Sequence, residues 1–287
     1  MTTSNQRLPI DQGLVGHEFA PMRWSWSERD TILYALGVGA RVDSDFDCLY
    51  EARGPAVLPT FSVIPATMFL GQSLETLDFD FAKLLHGEQA IELVRPIPPS
   101  AEVTTTRRVL NVWDKGKAAV IEWEYASSDA DGPVFTTRAS SYIRDAGGFG
   151  GERGPSASDR NRPPAREPDR VLEESTWAEQ PALYRLSGDF NPIHIDPQFA
   201  RESGYERPFL HGLCTFGIVG RALVHALCGG DPTRLRALEA RFTSLVFPGE
   251  VLRTELWLDG EGEAIVQTST ERAVVLGQGR VRFDADL

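Results

Sequence analysis

Three side chains that could carry acid–base chemistry lie close together in the segment 184–196. Asp189 offers a carboxylate, Asn191 an amide and His194 an imidazole. Gly188, Pro192 and Pro197 interrupt regular structure, so we expect a loop or a turn into a helix. A carboxylate and an imidazole aimed at one water could supply the base and the acid that adding water to a double bond requires. The alternative is a plain turn, in which Asp189 caps a short helix.

A second segment, 209–217, opens a long apolar run with His211 and Gly212. The first amides of a helix have no intrahelical acceptor and stabilise negative charge. Because Gly212 has no side chain, a thioester carbonyl could approach such an amide, and an oxyanion contact of this kind is worth about 3 kcal/mol. The alternative is a buried turn in which a backbone carbonyl satisfies His211.

The elements that must position these residues occur twice in the same order. Helical patterns precede strand patterns in each half; the helices are predicted at 26–36, 66–74, 179–187, 197–203 and 210–228, and the strands at 89–94, 102–113, 117–127, 132–143, 238–246, 251–259, 264–271 and 273–283. An offset of 150 residues aligns Tyr34 with Tyr184. We predict an α+β tandem duplication. The amino-terminal copy lacks the chemistry, because the positions opposite the acid–base residues are Gly39, Arg41 and Ser44.

The segment between the two halves is rich in glycine, proline and charged residues, which is typical of a linker. We predict an amino-terminal domain at 1–145, a flexible linker at 146–170 and a carboxy-terminal domain at 171–287.

Composition excludes several classes of protein. A net charge of −12 argues against binding to nucleic acid. We expect no membrane span, no signal peptide and no carboxy-terminal peroxisomal signal. The 3 cysteines have neither disulfide nor zinc spacing, so we predict a cytoplasmic protein without a metal. Lysine is scarce beside arginine, which suggests a GC-rich bacterial genome. No phosphate-binding glycine loop is present, and no nucleotide cofactor is implied.

The residues 184–200 resemble the signature of the (R)-specific enoyl-CoA hydratases, or hydratase 2, of the MaoC-like family. The chain is similar to the two-domain hydratase 2 unit of peroxisomal multifunctional enzymes over about 14–287, the linker excepted; supporting segments are 33–40, 58–61, 85–89 and 211–217. Phe190 stands where relatives often carry tryptophan.

This resemblance implies a double hot-dog fold, with two antiparallel sheets each wrapped around a helix. It implies reversible hydration of trans-2-enoyl-CoA to (3R)-3-hydroxyacyl-CoA in fatty acid or sterol side-chain metabolism. Asp189 would take the proton of the water, His194 would protonate C2, Asn191 would support the pair, and the Gly212 N–H would stabilise the thioester oxygen. The sequence does not decide which of the pair handles which proton. A homodimer is expected, and no cofactor beyond the coenzyme A of the substrate.

Further residues are candidates for contact with the substrate or its coenzyme A. The resemblance implies such contact for His86 and Gly87, whose alternative is a turn that initiates a strand. The remaining candidates are Tyr184, His211 and three basic residues, Lys115, Arg185 and Arg207, among which the sequence does not choose. The basic residues could equally be solvated surface charges.

Two other functions compete with hydration. A hot-dog acyl-CoA thioesterase also needs a carboxylate and an oxyanion site. A non-catalytic acyl-CoA binder would need neither, and the intact pair of Asp189 and His194 argues against it.

Overall fold

The computed structural model describes residues 7–66, 74, 76–80, 83–156 and 160–285. The predicted helix at 66–74 lies, apart from its two ends, outside these residues. Among the described helices, none combines the length and the apolarity needed to cross a membrane.

Ten antiparallel strands form one continuous sheet in the order β1-β3-β4-β5-β2-β7-β10-β9-β8-β6. The strands of the first half are β1 (Glu18–Trp26), β2 (Leu84–Leu93), β3 (Ala101–Asp114), β4 (Ala118–Asp129) and β5 (Gly132–Arg144). Those of the second half are β6 (Arg170–Ser175), β7 (Leu235–Phe242), β8 (Val251–Leu258), β9 (Glu263–Ser269) and β10 (Val274–Phe283). The eight strands predicted from alternation are all present.

The order of the strands supports a duplication. Read from its edge, the first half runs β1-β3-β4-β5-β2, and the second half runs β6-β8-β9-β10-β7 in the same relative order. A buried pair of hydroxyls recurs between equivalent strands, Thr105 with Ser127 and Thr254 with Thr268, each at 2.8 Å. The two expected sheets are joined through β2 and β7.

The sequence missed both edge strands. The sequence-based prediction was an irregular segment through residue 20, whereas β1 begins at residue 18. The prediction also assigned the first residue of β6 to the linker. Along β1 only Trp26 is buried, and no residue of β6 is. Edge strands of this kind carry little of the apolar alternation by which strands are recognised.

Five helices are described in full: α1 (Glu28–Gly37), α2 (Phe46–Leu49), α3 (Gln180–Tyr184), α4 (Pro197–Glu202) and α5 (Gly212–Cys228). Ser27 caps α1, and its N–H donates to the Asp30 carboxylate at 2.8 Å. The 17-residue α5 is almost wholly buried against the sheet.

The glycines within α5 allow the first half to approach its backbone. A Cβ at Gly217 would lie 2.5 Å from the Val38 side chain, and one at Gly220 would lie 2.4 Å from the Thr60 side chain. Each glycine costs about 1 kcal/mol of helix propensity. The close packing of α1 and of the turn at Pro59–Ser62 explains why glycine is present at these positions.

Residues 146–170, which we predicted to be a flexible linker, make hydrogen bonds to the sheet. The Asp114 carboxylate accepts from the N–H groups of Gly148 and Gly150, each at 2.8 Å. Arg160 donates to Glu88 on β2 at 2.6 Å, and the Asn161 amide donates to Glu239 on β7 at 2.6 Å. Consecutive linker residues therefore bind the two strands that join the halves. The predicted domain bounds stay a prediction.

Candidate active site

A tight turn after α3 presents the Asp189 carboxylate. Gly188 has a φ of +131°, which favours glycine, and it ends the 3-10 turn Arg185–Ser187. The Asn191 N–H donates to Asp189 Oδ1 at 3.2 Å and holds the carboxylate over the turn. Asn191 Oδ1 accepts from the Ile193 N–H at 3.1 Å, so this side chain caps the next turn, Pro192–His194. Asn191 thus supports the site through the backbone of the turn.

The backbone fixes the tautomer of His194. Its Nδ1 lies 2.9 Å from the carbonyl oxygen of Phe209, which can only accept, so Nδ1 carries the hydrogen and Nε2 presents a lone pair. Burial lowers the pKa of His194 below its usual 6.5, although the negative charge of Asp189 and the Phe209 carbonyl partly oppose this shift. His194 is therefore a neutral base at physiological pH.

His211 lies against both members of the pair. Its ring stacks on that of His194, with centroids 3.8 Å apart and planes inclined by 30°. Its Nε2 donates to the backbone carbonyl of Asp189 at 3.2 Å. Burial, together with the positive charge that the neighbouring His194 carries once it is protonated, lowers the pKa of His211 to about 2. Of the two sequence-based interpretations, contact with a backbone carbonyl is confirmed, and that carbonyl belongs to Asp189.

Gly212 is the first residue of α5, which begins two residues later than predicted, and its face is covered by an aromatic ring. A Cβ at this position would lie 3.1 Å from Phe242 Cε1. The same ring contacts His86, with centroids 4.8 Å apart. His86 on β2 and Gly212 on α5 therefore share one wall, to which the two halves each contribute. No pattern in the sequence singled out Phe242, which ends an ordinary strand.

His86 is held in a neutral state beside this wall. Burial lowers its pKa to about 4, and its Nε2 lies 3.1 Å from the Glu88 carbonyl oxygen. Gly87 packs closely on Ser140, whose Oγ would lie 2.6 Å from a Cβ. Gly87 thus allows a close approach between β2 and β5.

Tyr184 lies behind His211. It is 1% exposed, and its ring centroid is 5.0 Å from that of His211. On its other side it contacts Tyr34 at 6.1 Å. The two tyrosines aligned by the 150-residue offset therefore meet at the centre of the duplication.

The three basic candidates are spread apart. Arg185 lies over the Phe190 ring at 5.0 Å, and Arg207 lies over the Phe247 ring at 4.3 Å. Lys115 lies at the turn between β3 and β4, where its Nζ donates to the Arg153 carbonyl. Lys115 follows the end of β3, and β4, β5 and β2 lie next to β3 in that order. The strand that carries His86 is therefore three strand spacings, or about 14 Å, from Lys115.

The counterpart region in the first half performs a structural task. The Arg41 N–H and the Ser44 hydroxyl both donate to the Asp45 carboxylate, at 3.0 Å and 2.7 Å. Asp45 also accepts from Arg221 at 3.1 Å and from His225 at 2.7 Å, both on α5. The segment opposite the acid–base residues therefore anchors α5.

Asp189, His194 and His211 offer donor atoms that all lie within 4.8 Å of one another, which is close enough to consider a metal ion. The lone pair of an imidazole nitrogen lies in the plane of its ring. Two rings stacked 3.8 Å apart and inclined by 30° hold their lone pairs in nearly parallel, separate planes. One ion could not meet both unless a ring rotated. The arrangement suits proton transfer better than ligation.

Two family models match the chain. Residues 24–145 match the MFE-2 hydratase 2 N-terminal domain, and residues 159–278 match the MaoC like domain.

Curated relatives match over nearly the whole chain. The enoyl-CoA hydratase ChsH3 of Mycobacterium tuberculosis is 40% identical over 280 residues, which cover 94% of this chain and 97% of that protein. The peroxisomal enoyl-CoA hydratase 2 of Arabidopsis thaliana is 41% identical over 285 residues, covering 91% and 90%.

Solved structures confirm the expected fold. A MaoC-like dehydratase from Phytophthora capsici superposes with a TM-score of 0.85 at 34% identity, covering 97% of this chain and 99% of its own. A Mycobacterium tuberculosis protein described as a double hot-dog fold superposes with a TM-score of 0.59 at 14% identity, covering 93% and 95%. At that identity the likeness is one of fold alone.

Proposed function

We propose that this chain, which belongs to the MaoC-like family with the two-domain arrangement of hydratase 2, reversibly hydrates trans-2-enoyl-CoA to (3R)-3-hydroxyacyl-CoA. The observation that carries the proposal is the position of the Asp189 carboxylate beside the neutral His194, with the start of α5 adjoining them. The relatives named enoyl-CoA hydratase support the substrate class and a place in fatty acid metabolism.

The protonation state of His194 revises the order of proton transfer that we expected. With its hydrogen on Nδ1, resting His194 has none at Nε2 to give to C2. We propose that Nε2 first takes a proton from the water as its oxygen bonds to C3, and that the same proton then moves from Nε2 to C2. The other hydrogen of the water stays on its oxygen as part of the new hydroxyl, and it donates a hydrogen bond to the Asp189 carboxylate, whose charge also stabilises the imidazolium. The atoms of one water are thereby fully accounted for.

Negative charge develops on the thioester oxygen while C3 is attacked. We propose that the Gly212 N–H binds this oxygen, because it is among the first amides of α5 and has no intrahelical acceptor. Phe242 and His86, on the wall that they share with Gly212, would exclude water from the reacting carbon.

We further propose that coenzyme A extends from this wall towards Lys115. All three lysines of the chain, Lys83, Lys115 and Lys117, lie at the end of the sheet where β2 begins, close in sequence to His86 or at the turn between β3 and β4. Their charge opposes the overall balance of −12 and suits the phosphates of coenzyme A.

A single assay separates the candidate reactions. Purified protein is mixed with a trans-2-enoyl-CoA, and the absorbance of the conjugated thioester is followed beside a thiol reagent. Loss of absorbance without thiol release, with a (3R) product on chiral analysis, supports the hydratase. Thiol release would instead indicate a thioesterase, and no change would indicate a binder.

Three finer proposals accompany the reaction. We propose a cytoplasmic protein, which the three buried cysteines support because they form no disulfide and thiols persist in a reducing compartment. We propose a homodimer, testable by sedimentation, for which exposed apolar side chains such as Phe190 and Phe199 provide surface. We also propose that hydration needs no metal or other cofactor, so that full activity after exhaustive chelation is the expected result.

A further inference from the structure

His211 makes two contacts that the proposed chemistry does not by itself require. One is the hydrogen bond from Nε2 to the Asp189 carbonyl at 3.2 Å, and the other is the stack on His194 at 3.8 Å. The first contact holds the turn that carries the carboxylate, and the second holds the plane of the base. A single side chain thereby touches both members of the pair.

The state of His211 follows from these contacts. Because the Asp189 carbonyl can only accept, Nε2 of His211 carries a hydrogen, and Nδ1 carries a lone pair. Nδ1 is buried and meets no hydrogen-bond partner among the residues that the structure describes, and the residue is 1% exposed. Its pKa of about 2 keeps the ring neutral.

A neutral ring at this place matters for turnover. His194 becomes an imidazolium when it holds the proton taken from water. A second positive ring at 3.8 Å would oppose that step, because like charges at short range disfavour each other. A neutral ring presents its face to the imidazolium without this repulsion.

We propose that His211 is a positioning residue of the hydratase reaction, which keeps the Asp189 carboxylate and His194 Nε2 directed at one water. This inference rests on the proposed function. His211 itself exchanges no proton with the substrate. Its hydrogen bond sets the position of Asp189, and its ring sets the orientation and hydration of His194.

Two variants separate the two contacts. His211→Gln keeps an N–H donor near the position of Nε2 and removes the ring. His211→Phe keeps a ring face against His194 and removes the donor. His17→Gln is the matched control, since this histidine packs against Phe19, away from the site, with ring centroids 4.7 Å apart.

We expect each His211 variant to lower kcat about tenfold or more, which is the scale of one lost hydrogen bond or aligned contact, while KM stays within about threefold. In His211→Gln, water reaches the freed face of His194, so its pKa rises towards 6.5 and the acid limb of kcat/KM moves to higher pH. In His211→Phe, the acid limb stays in place while kcat falls. His17→Gln leaves both unchanged.

Nuclear magnetic resonance titration of the imidazole groups gives a readout that needs no turnover, and the chain has only 5 histidines to assign. A His194 pKa that rises in His211→Gln but not in His211→Phe supports the inference, even if the wild-type protein fails to hydrate enoyl-CoA. Hydratase activity with kcat within twofold of wild type in both variants would overturn it. Equal shifts of the His194 pKa in the two variants would overturn it too.

Discussion

Neutralising Asp45 should destabilise the protein more than neutralising any exposed acid nearby. The Asp45 and Arg221 side chains are 2% and 5% exposed, and they join the first half to α5. In Asp45→Asn, the amide nitrogen would face groups that all donate, namely Arg221, His225, Ser44 and the Arg41 N–H. Arg221 would keep only Glu174 as a charged partner among the described residues.

The magnitude follows from the burial of the pair. Removing one partner of a buried ion pair costs about 3–5 kcal/mol. An unfolding entropy of about 2.1 cal/mol/K per residue gives roughly 0.6 kcal/mol/K for a chain of this length, so Tm should fall by about 5–8 °C. Although burial raises the pKa of Asp45, hydrogen bonds from Ser44, the Arg41 N–H and His225 lower it below its usual 3.8. The stabilisation is therefore present at neutral pH and is lost only as the pH falls through this lowered value.

Asp47→Asn is the control, because Asp47 lies only two residues after Asp45, in α2, and pairs with Arg53 at 2.9 Å with both side chains well exposed. Its loss should cost less than about 1 kcal/mol. Urea denaturation and thermal melts of both variants are the assay. If Asp45→Asn were within 1 kcal/mol of Asp47→Asn, the Asp45 pair would not be what ties α5 to the first half.

Three further predictions concern the wall and the basic end of the sheet. An unfolded histidine binds a proton below pH 6.5, whereas folded His86 does so only near pH 4, so the free energy of unfolding falls on acidification. In urea titrations, the His86→Gln variant should therefore lose up to about 2 kcal/mol less stability between pH 7 and pH 5 than the wild type loses. Gly212→Ala should lower kcat/KM about tenfold because its methyl group would lie 3.1 Å from the Phe242 ring, and Phe242→Leu should restore part of the loss. Lys115→Ala should raise KM for enoyl-CoA about three- to tenfold, but not for the same acyl group on N-acetylcysteamine, which has no phosphates; an equal rise with both would contradict phosphate binding.

Much of the fold could be predicted because its signals are local. Alternating polarity identified the eight inner strands, and glycine and proline identified the turn of Asp189. The edge strands escaped because they are mostly exposed, and sequence patterns report burial. The order of strands confirms the duplication, for which the sequence offered only a few identities and the order of its elements.

The candidate site was predictable in its residue types but not in its contacts. Asp189 and His194 stand in one short segment, whereas Phe242 and His86 meet across more than a hundred residues. The Asp45 and Arg221 pair is likewise joined only by the fold, since the two residues are 176 apart. The role of Asn191 as a turn cap and the tautomer of His194 depend on backbone atoms, which the sequence does not distinguish.

The most direct test of the account compares the wild-type protein with Asp189→Asn and His194→Gln on a trans-2-enoyl-CoA. The wild type should remove the conjugated absorbance without releasing thiol. Each variant should lose turnover at least a thousandfold while its Tm stays within a few degrees of wild type, because both side chains act on the water and Asp189 is partly exposed. Near-full activity in either variant, or thiol release by the wild type, would contradict the central claim.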